Sequence, residues 1–364
     1  MPRERSGGGD AVEIGLGLDA SLGMTFDDQA TLAREAAELG YMNLWTPEGI
    51  GLDSFQLCLL RWQATRAVVP EGLVTGIGVS NVAYRSPTAF AISAGTLGAL
   101  TGGRFVLGIG SGRTYSASLR RALGLGGRSA LVIMREYLVT MRALLAGETV
   151  DHEGDAVTLR GVQLGIAPPP RTPVYLAALG PEMLRLAGEV SDGAALNWCS
   201  AEQVAWSRER LNEGAAKAGR DPSAVQMAEY IRICVDEDVA CARRGLARAT
   251  MGYALGQQVP TERERRLGYR GHFERMGFAD ELGELDRMRE RGAKQDELLD
   301  AFPDEILQAV GYYGPAGGAA EAFARLAHGL DTAIVRVVAS RPGLDSVRAV
   351  MRACRPERVL AAAG

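Results

Sequence analysis

Apolar residues fall along this chain in short, nearly unbroken runs, and the segments between them repeat at helical spacing. Eight runs stand out, at residues 12–18, 43–47, 73–79, 104–109, 174–178, 194–198, 225–235 and 333–339. Most lack polar alternation, the pattern of strands buried on both faces of a parallel sheet. Between them, residues 26–39 open with Thr25-Phe26-Asp27-Asp28 and stop at Gly40, a helix start and stop pair. Ser86-Pro87 opens a second helix, a cap residue followed by a first-turn proline. A third spans residues 128–145. Eight strands alternating with helices predict a (β/α)8 TIM barrel, an α/β fold of ~250 residues that often carries insertions. A doubly wound sheet is the rival architecture.

The chain has 364 residues, so about a hundred lie beyond a minimal barrel. They map to residues 147–172, read as a hairpin excursion, and to residues 256–314, a charged helical insertion between the seventh and eighth strands. The insertion is expected to cap the barrel mouth or to meet a partner. Residues 1–10 read as a disordered lead, and residues 11–364 as one domain.

Composition narrows the function. A formal net charge of -4 with no basic run of nucleic-acid type argues against a nucleic-acid partner. No apolar stretch approaches the ~20 residues of a membrane span, and the N-terminal residues have no secretory h-region, so a cytoplasmic location is expected. Five irregularly spaced cysteines and three scattered histidines support neither a disulfide framework nor a metal site.

Barrel enzymes build their sites at strand C-termini. Those ends here are small and polar: Trp45-Thr46-Pro47-Glu48, Gly78-Val79-Ser80-Asn81, Gly110-Ser111-Gly112-Arg113, Ala177-Ala178-Leu179-Gly180-Pro181 and Asn197-Trp198. Glycine lets backbone approach a flat or phosphorylated ligand. Gly180-Pro181 leads into a helix whose first N–H groups are suited to a phosphate. G-I-G-S-G-R at residues 108–113 fails the dinucleotide pattern because Arg113 stands where the third glycine is needed. No G-K-[ST] follows a glycine loop, and no G-x-S-x-G is present.

At G-V-S-N-V-A-Y-R-S-P, G-R-F-V-L-G-I-G-S-G and P-V-Y-L-A-A-L-G-P-E-M-L-R-L-A-G the chain resembles the bacterial luciferase-like superfamily. Within it, the likeness is to the coenzyme F420-dependent branch that includes methylenetetrahydromethanopterin reductase. The resemblance implies a deazaflavin or flavin bound at the strand ends, and a cis Gly78–Val79 peptide in a bulge that backs its ring. It implies that Gly78, Val79 and Asn81 contact the ring and that Ser111 and Gly112 lie near it. It implies that Ala177, Ala178, Leu179, Gly180 and Pro181 cradle a phosphate. A homodimer is also expected from the resemblance.

The sequence departs from that family pattern in two places. Glu48-Gly49 replaces the Asp-His of many F420 relatives, and Arg113 replaces an acid of the sugar-phosphate dehydrogenases. Glu48 is the candidate acid/base. Arg113, unable to donate a proton at neutral pH, is a candidate grip on a substrate carboxylate or phosphate. Trp198 and Glu229 are further candidate substrate contacts. Glu229 and Tyr230 are neighbours in one strand, so one faces the interior and the other faces out. The resulting expectation is hydride transfer between the F420 C5 carbon and a small organic substrate, by reduction of a C=N or C=C bond. An FMN-dependent monooxygenase and a non-catalytic flavin-binding relative are the alternatives.

Overall fold

The computed structural model describes residues 12–112, 127–166, 171–256 and 258–363. The lead at residues 1–10 and Arg113 lie outside the described residues.

In chain order the first half lays down β1 (Glu13–Gly17), α1 (Phe26–Glu38), β2 (Asn43–Thr46), α2 (Ser54–Thr65), β3 (Val74–Asn81), α3 (Pro87–Leu100) and β4 (Phe105–Gly110). Next come α4 (Ala130–Leu145) and the hairpin of β5 (Val150–Glu153) and β6 (Thr158–Val162). The second half supplies β7 (Val174–Ala177), α5 (Pro181–Val190), β8 (Gly193–Asn197), α6 (Ala201–Lys217), β9 (Gln226–Val235) and α7 (Val239–Ala254). Short helices follow: α8 (Glu262–Leu267), α9 (Tyr269–Arg275), α10 (Ala279–Glu290), α11 (Gln295–Asp300) and α12 (Asp304–Val310). The chain ends with β10 (Gly311–Gly314), α13 (Ala319–Ala327), β11 (Thr332–Val337), α14 (Leu344–Ala353) and α15 (Pro356–Ala363).

All eight apolar runs are strands of one closed parallel barrel, in the order β1-β2-β3-β4-β7-β8-β9-β11. β8 pairs with β9, and β11 pairs back onto β1, so the sheet has no doubly wound edge. Helix starts follow their local signals. Thr25 and Asp28 form a reciprocal capping box on α1, and Ser86 Oγ accepts the Ala89 N–H at 3.2 Å ahead of Pro87. Gly40, at φ +88°, closes the turn after α1, a conformation that costs glycine little.

Three apolar layers follow from this arrangement. Helices pack on the outer face of the barrel around Leu16, Ile77, Leu107, Leu176 and Val335. The barrel interior holds Trp45, Tyr175, Ala228, Tyr230 and Ile334. A further core, with Trp198, Phe273, Leu285, Phe302 and Leu307, joins the 256–314 insertion to the barrel's C-terminal end.

β10 is an element that the sequence does not announce. It pairs parallel with the second half of β9, from Arg232 to Val235, whereas β8 pairs with residues 226–230. Two strands thus share one edge of β9.

Candidate active site

β3 ends in the bulge that the resemblance implies. The Gly78–Val79 peptide is cis, and the pairing with β4 shifts register between Ile77 and Ser80. Glycines on β4 make room for the Val79 side chain. A Cβ on Gly108 would lie 2.8 Å from Val79 Cγ1, and one on Gly110 would lie 2.9 Å from Val79 Cγ2 and 2.8 Å from Ala177 Cβ. Gly112 has φ +56° and passes against the Asn81 side chain, whose Oδ1 accepts the Ala83 N–H at 2.9 Å. Ser111, half-buried, stands between Gly110 and Gly112. Gly78, Val79, Asn81, Ser111 and Gly112 therefore form one continuous wall.

Ala177 completes that wall from β7. The Ala178 N–H donates to Ala195 O at 3.2 Å, and Leu179 leads into Gly180, the N-cap of α5. Gly180 offers no side-chain cap, Pro181 is the first helical residue, and a Cβ on Gly180 would meet nothing within 4 Å. Arg275, from α9 of the insertion, reaches this loop and donates to Leu179 O at 3.2 Å. Glu182 stands in the same first turn, ion-paired with Arg185 at 2.6 Å. The loop thus brings an uncapped helix start and a guanidinium together.

Glu48 sits under the bulge and is fully engaged. Its Oε2 accepts Arg85 Nη1 at 2.6 Å and its Oε1 accepts Arg85 Nη2 at 2.8 Å. The Ser80 hydroxyl also donates to Oε2, and the Ser54 N–H donates to Oε1 at 3.3 Å. Its backbone N–H donates to Val79 O at 3.3 Å. Arg85 is held in turn by Asp53 at 2.6 Å and lies against the rings of Phe55 and Phe90. A carboxylate so saturated is a brace for the bulge.

The mouth floor is Tyr230. A Cβ on Gly17 would lie 2.7 Å from its ring, and one on Gly78 would lie 2.9 Å from its hydroxyl. That hydroxyl is buried without a hydrogen-bond partner among the described residues, and burial raises its pKa far above the usual tyrosine value. With Tyr230 inside, alternation turns Glu229 outward. Glu229 Oε1 accepts the Cys199 N–H at 2.6 Å, its Oε2 has no partner, and burial raises its pKa to about 8. Glu229, read from sequence as a substrate contact, thus lies on the helix side of β9, and its neighbour takes the interior position.

Trp198 is 1% exposed and has φ +61°, the one non-glycine left-handed residue among those described. Its carbonyl accepts His272 Nε2 at 2.7 Å, so that nitrogen carries the proton and Nδ1 is bare. Burial lowers the His272 pKa to about 4. Trp198 packs on Tyr253 and Phe273, and Arg232 lies 3.7 Å over its ring. Beside it, Asn197 Nδ2 donates to the Tyr269 hydroxyl at 2.7 Å. Tyr269, His272 and Arg275 all come from α9, so the insertion caps the mouth, one of its two expected roles.

The sequence reading did not single out Arg85, Arg232, Arg275, Arg336 or Tyr269. Arg232 and Arg336 had a visible signal, a charge inside otherwise apolar strands, in Y-I-R-I and I-V-R-V. Among the described residues, no helix is long and apolar enough to cross a membrane.

Comparison with known proteins agrees with this architecture. The chain is 32% identical over 214 residues to the 5,10-methylenetetrahydromethanopterin reductase of Methanolobus tindarius, covering 59% of this chain and 63% of that protein. It is 30% identical over 251 residues to the protein of the same name from Archaeoglobus fulgidus, covering 66% and 74%. The chain thus spans just under two thirds of the first relative. The coenzyme F420-dependent tetrahydromethanopterin reductase of Methanopyrus kandleri superposes with a TM-score of 0.73 at 20% identity, over 96% of this chain and 98% of that one, and so shares the fold. The family model described as luciferase-like monooxygenase matches residues 5–333, and the chain belongs to that family.

Proposed function

We propose that this protein is an F420-dependent oxidoreductase that moves a hydride between the deazaflavin and a small organic substrate, reducing a C=N or C=C bond. The observation that carries the reading is the mouth wall from Gly78 to Gly112, continued by the open Gly180 helix start with Arg275 beside it. Such a wall suits a flat ring bearing a phosphate-ended side chain. Two relatives at 30% and 32% identity are named as methylenetetrahydromethanopterin reductases, which points the same way.

The residues fit the group. Gly78, Val79, Asn81, Ser111 and Gly112 would hold the ring, and Ala177, Ala178, Leu179, Gly180 and Pro181 would hold the phosphate. When bound, the deazaflavin supplies the hydride at C5. The buried Tyr230 hydroxyl, without a partner among the described residues, keeps its proton and would offer a hydrogen bond to a ligand bound there. Glu48 and Arg85 keep the bulge in place, with Glu48 acting as a positioning residue. Trp198 and the α9 side chains cover the mouth and exclude water.

Binding of the purified protein to oxidised F420 and to FMN, followed by fluorescence, tests the reading. F420 is expected to bind in the micromolar range and FMN weakly. Micromolar FMN binding without F420 binding would overturn it in favour of an FMN-dependent monooxygenase.

A further inference from the structure

Arg232 on β9 and Arg336 on β11 are register partners in parallel strands, so their side chains leave the sheet on the same face. Both share the inward phase of Tyr230 and Ile334, one step nearer the mouth. The two cations are not equally compensated. Arg336 forms an ion pair with Asp19 at the end of β1. Arg232 is 5% exposed; its Nη1 donates to the Tyr230 carbonyl at 2.7 Å, and it lies against the aromatic faces of Trp198 and Tyr230. No ion pair to it occurs among the described residues. Glu229, one of the acids in its electrostatic surroundings, faces away across the strand, and at its raised pKa of about 8 it is largely protonated at neutral pH.

A buried guanidinium without a counter-ion is costly, and proteins keep one where something supplies the missing charge. Around it stand groups suited to a small organic anion. Two donors, Arg336 Nη1 and the Trp198 indole Nε1, lack hydrogen-bond partners among the described residues, and Tyr253 and Tyr269 lie within the electrostatic reach of Arg232. The guanidinium carbon lies 3.7 Å from the centre of the Trp198 ring, and a guanidinium so seated is a group that can meet the two oxygens of a carboxylate.

We propose that Arg232, oriented by Trp198, is the substrate-anion site of this enzyme, and that the substrate carries a carboxylate group. This inference rests on the proposed hydride-transfer reading for the word "substrate", but anion binding at Arg232 is measured independently of the cofactor.

The test uses the full-length protein and two probes of one shape, benzoate and neutral benzamide, titrated by calorimetry with and without F420. Wild type is expected to bind benzoate at least about ten-fold more tightly than benzamide, the scale of one charge-assisted hydrogen-bond pair. Arg232→Met is expected to abolish that preference while F420 affinity stays within two-fold, and unchanged F420 binding also certifies the fold. Arg232→Lys is expected to retain part of the preference. Equal binding of both probes to wild type, or an undiminished preference in Arg232→Met, would overturn the proposal. A ten-fold loss of F420 affinity in both Arg232 variants would overturn it too, by giving the anion to the cofactor. If FMN binds in place of F420 but the benzoate preference still tracks Arg232, the cofactor reading fails and the anion site stands.

Discussion

Glu48 and Arg85, 37 residues apart in the chain, meet as a two-pronged ion pair directly beneath the β3 bulge. The same carboxylate takes the Ser80 hydroxyl and the first N–H of α2. A group with four donors has no lone pair left for proton traffic. Its glutamine variant, Glu48→Gln, is expected to weaken F420 binding about ten-fold and to leave the pH profile of turnover in place. Glu48→Ala should cost about 3 kcal/mol, the lower end for a broken buried pair, because Asp53 still faces Arg85. Urea denaturation and a pH–rate profile check both statements. A pH profile that loses one limb in Glu48→Gln would restore Glu48 as the acid/base.

Gly110 and Val79 fit together as space and filler. Gly110→Ala is expected to cost about 1–3 kcal/mol by overpacking and to reduce F420 affinity. Adding Val79→Ala should relieve the contact with the new methyl, leaving only that with Ala177. The double-mutant cycle would then show a positive recovery of about 1 kcal/mol. Strictly additive losses would place the clash elsewhere.

Arg275 belongs to the insertion but serves the β7–α5 loop. Arg275→Ala is expected to lower affinity for F420 by about ten-fold and to leave affinity for the phosphate-free deazaflavin riboside unchanged, since only the former presents an anion to that loop. Fluorescence titration with both compounds separates the cases. A parallel loss for both would mean that Arg275 only supports the fold.

Two buried groups give the stability a pH dependence of opposite sign. Glu229 has a raised folded pKa of about 8, against about 4.3 when unfolded. Its contribution is fully present below about pH 4.3 and is lost as pH rises through about 8. His272 has a lowered folded pKa of about 4, against about 6.5 unfolded. Its contribution is present above about pH 6.5 and is lost as pH falls through about 4. Glu229→Gln retains an acceptor for the Cys199 N–H and is expected to flatten the alkaline fall. Urea midpoints from about pH 5 to about pH 9 test this, and an unchanged slope above about pH 7 in Glu229→Gln would contradict it.

The barrel was legible because strands buried on both faces leave continuous apolar runs, and the helical insertion because its charge marks it as separate. The glycine loops pointed to a cofactor because close backbone approach needs them. The rest depended on distance and phase. Glu48–Arg85 and Arg232–Arg336 are long-range pairs that no local pattern encodes. Alternation required Glu229 and Tyr230 to face opposite ways, but only the register with Asn197 and Ile334 fixes which faces inward. Arg275 and Tyr269 lay in the insertion expected to cap the mouth or meet a partner, but nothing local in that charged sequence marks α9 as the helix turned onto the mouth.

The shared edge of β9 bears on how the barrel mouth is covered. β8 departs after Asn197, and β10 takes up the vacated edge from Arg232 onward, so the last strand of the insertion is a stave of the barrel rim. The Asp236 N–H, just past β9, still bonds to Gly314 O at 3.1 Å. The cover over the mouth is therefore stitched to the barrel by backbone at its far end and continuous with β9 through α7 at its near end. A cover seamed at both margins is not a hinged door. Exchange of side chains on α9 would change what the cover presents to the mouth and leave the seam intact, while a one-residue insertion or deletion ahead of β10 would slip the seam and turn Tyr312 and Tyr313 to opposite faces.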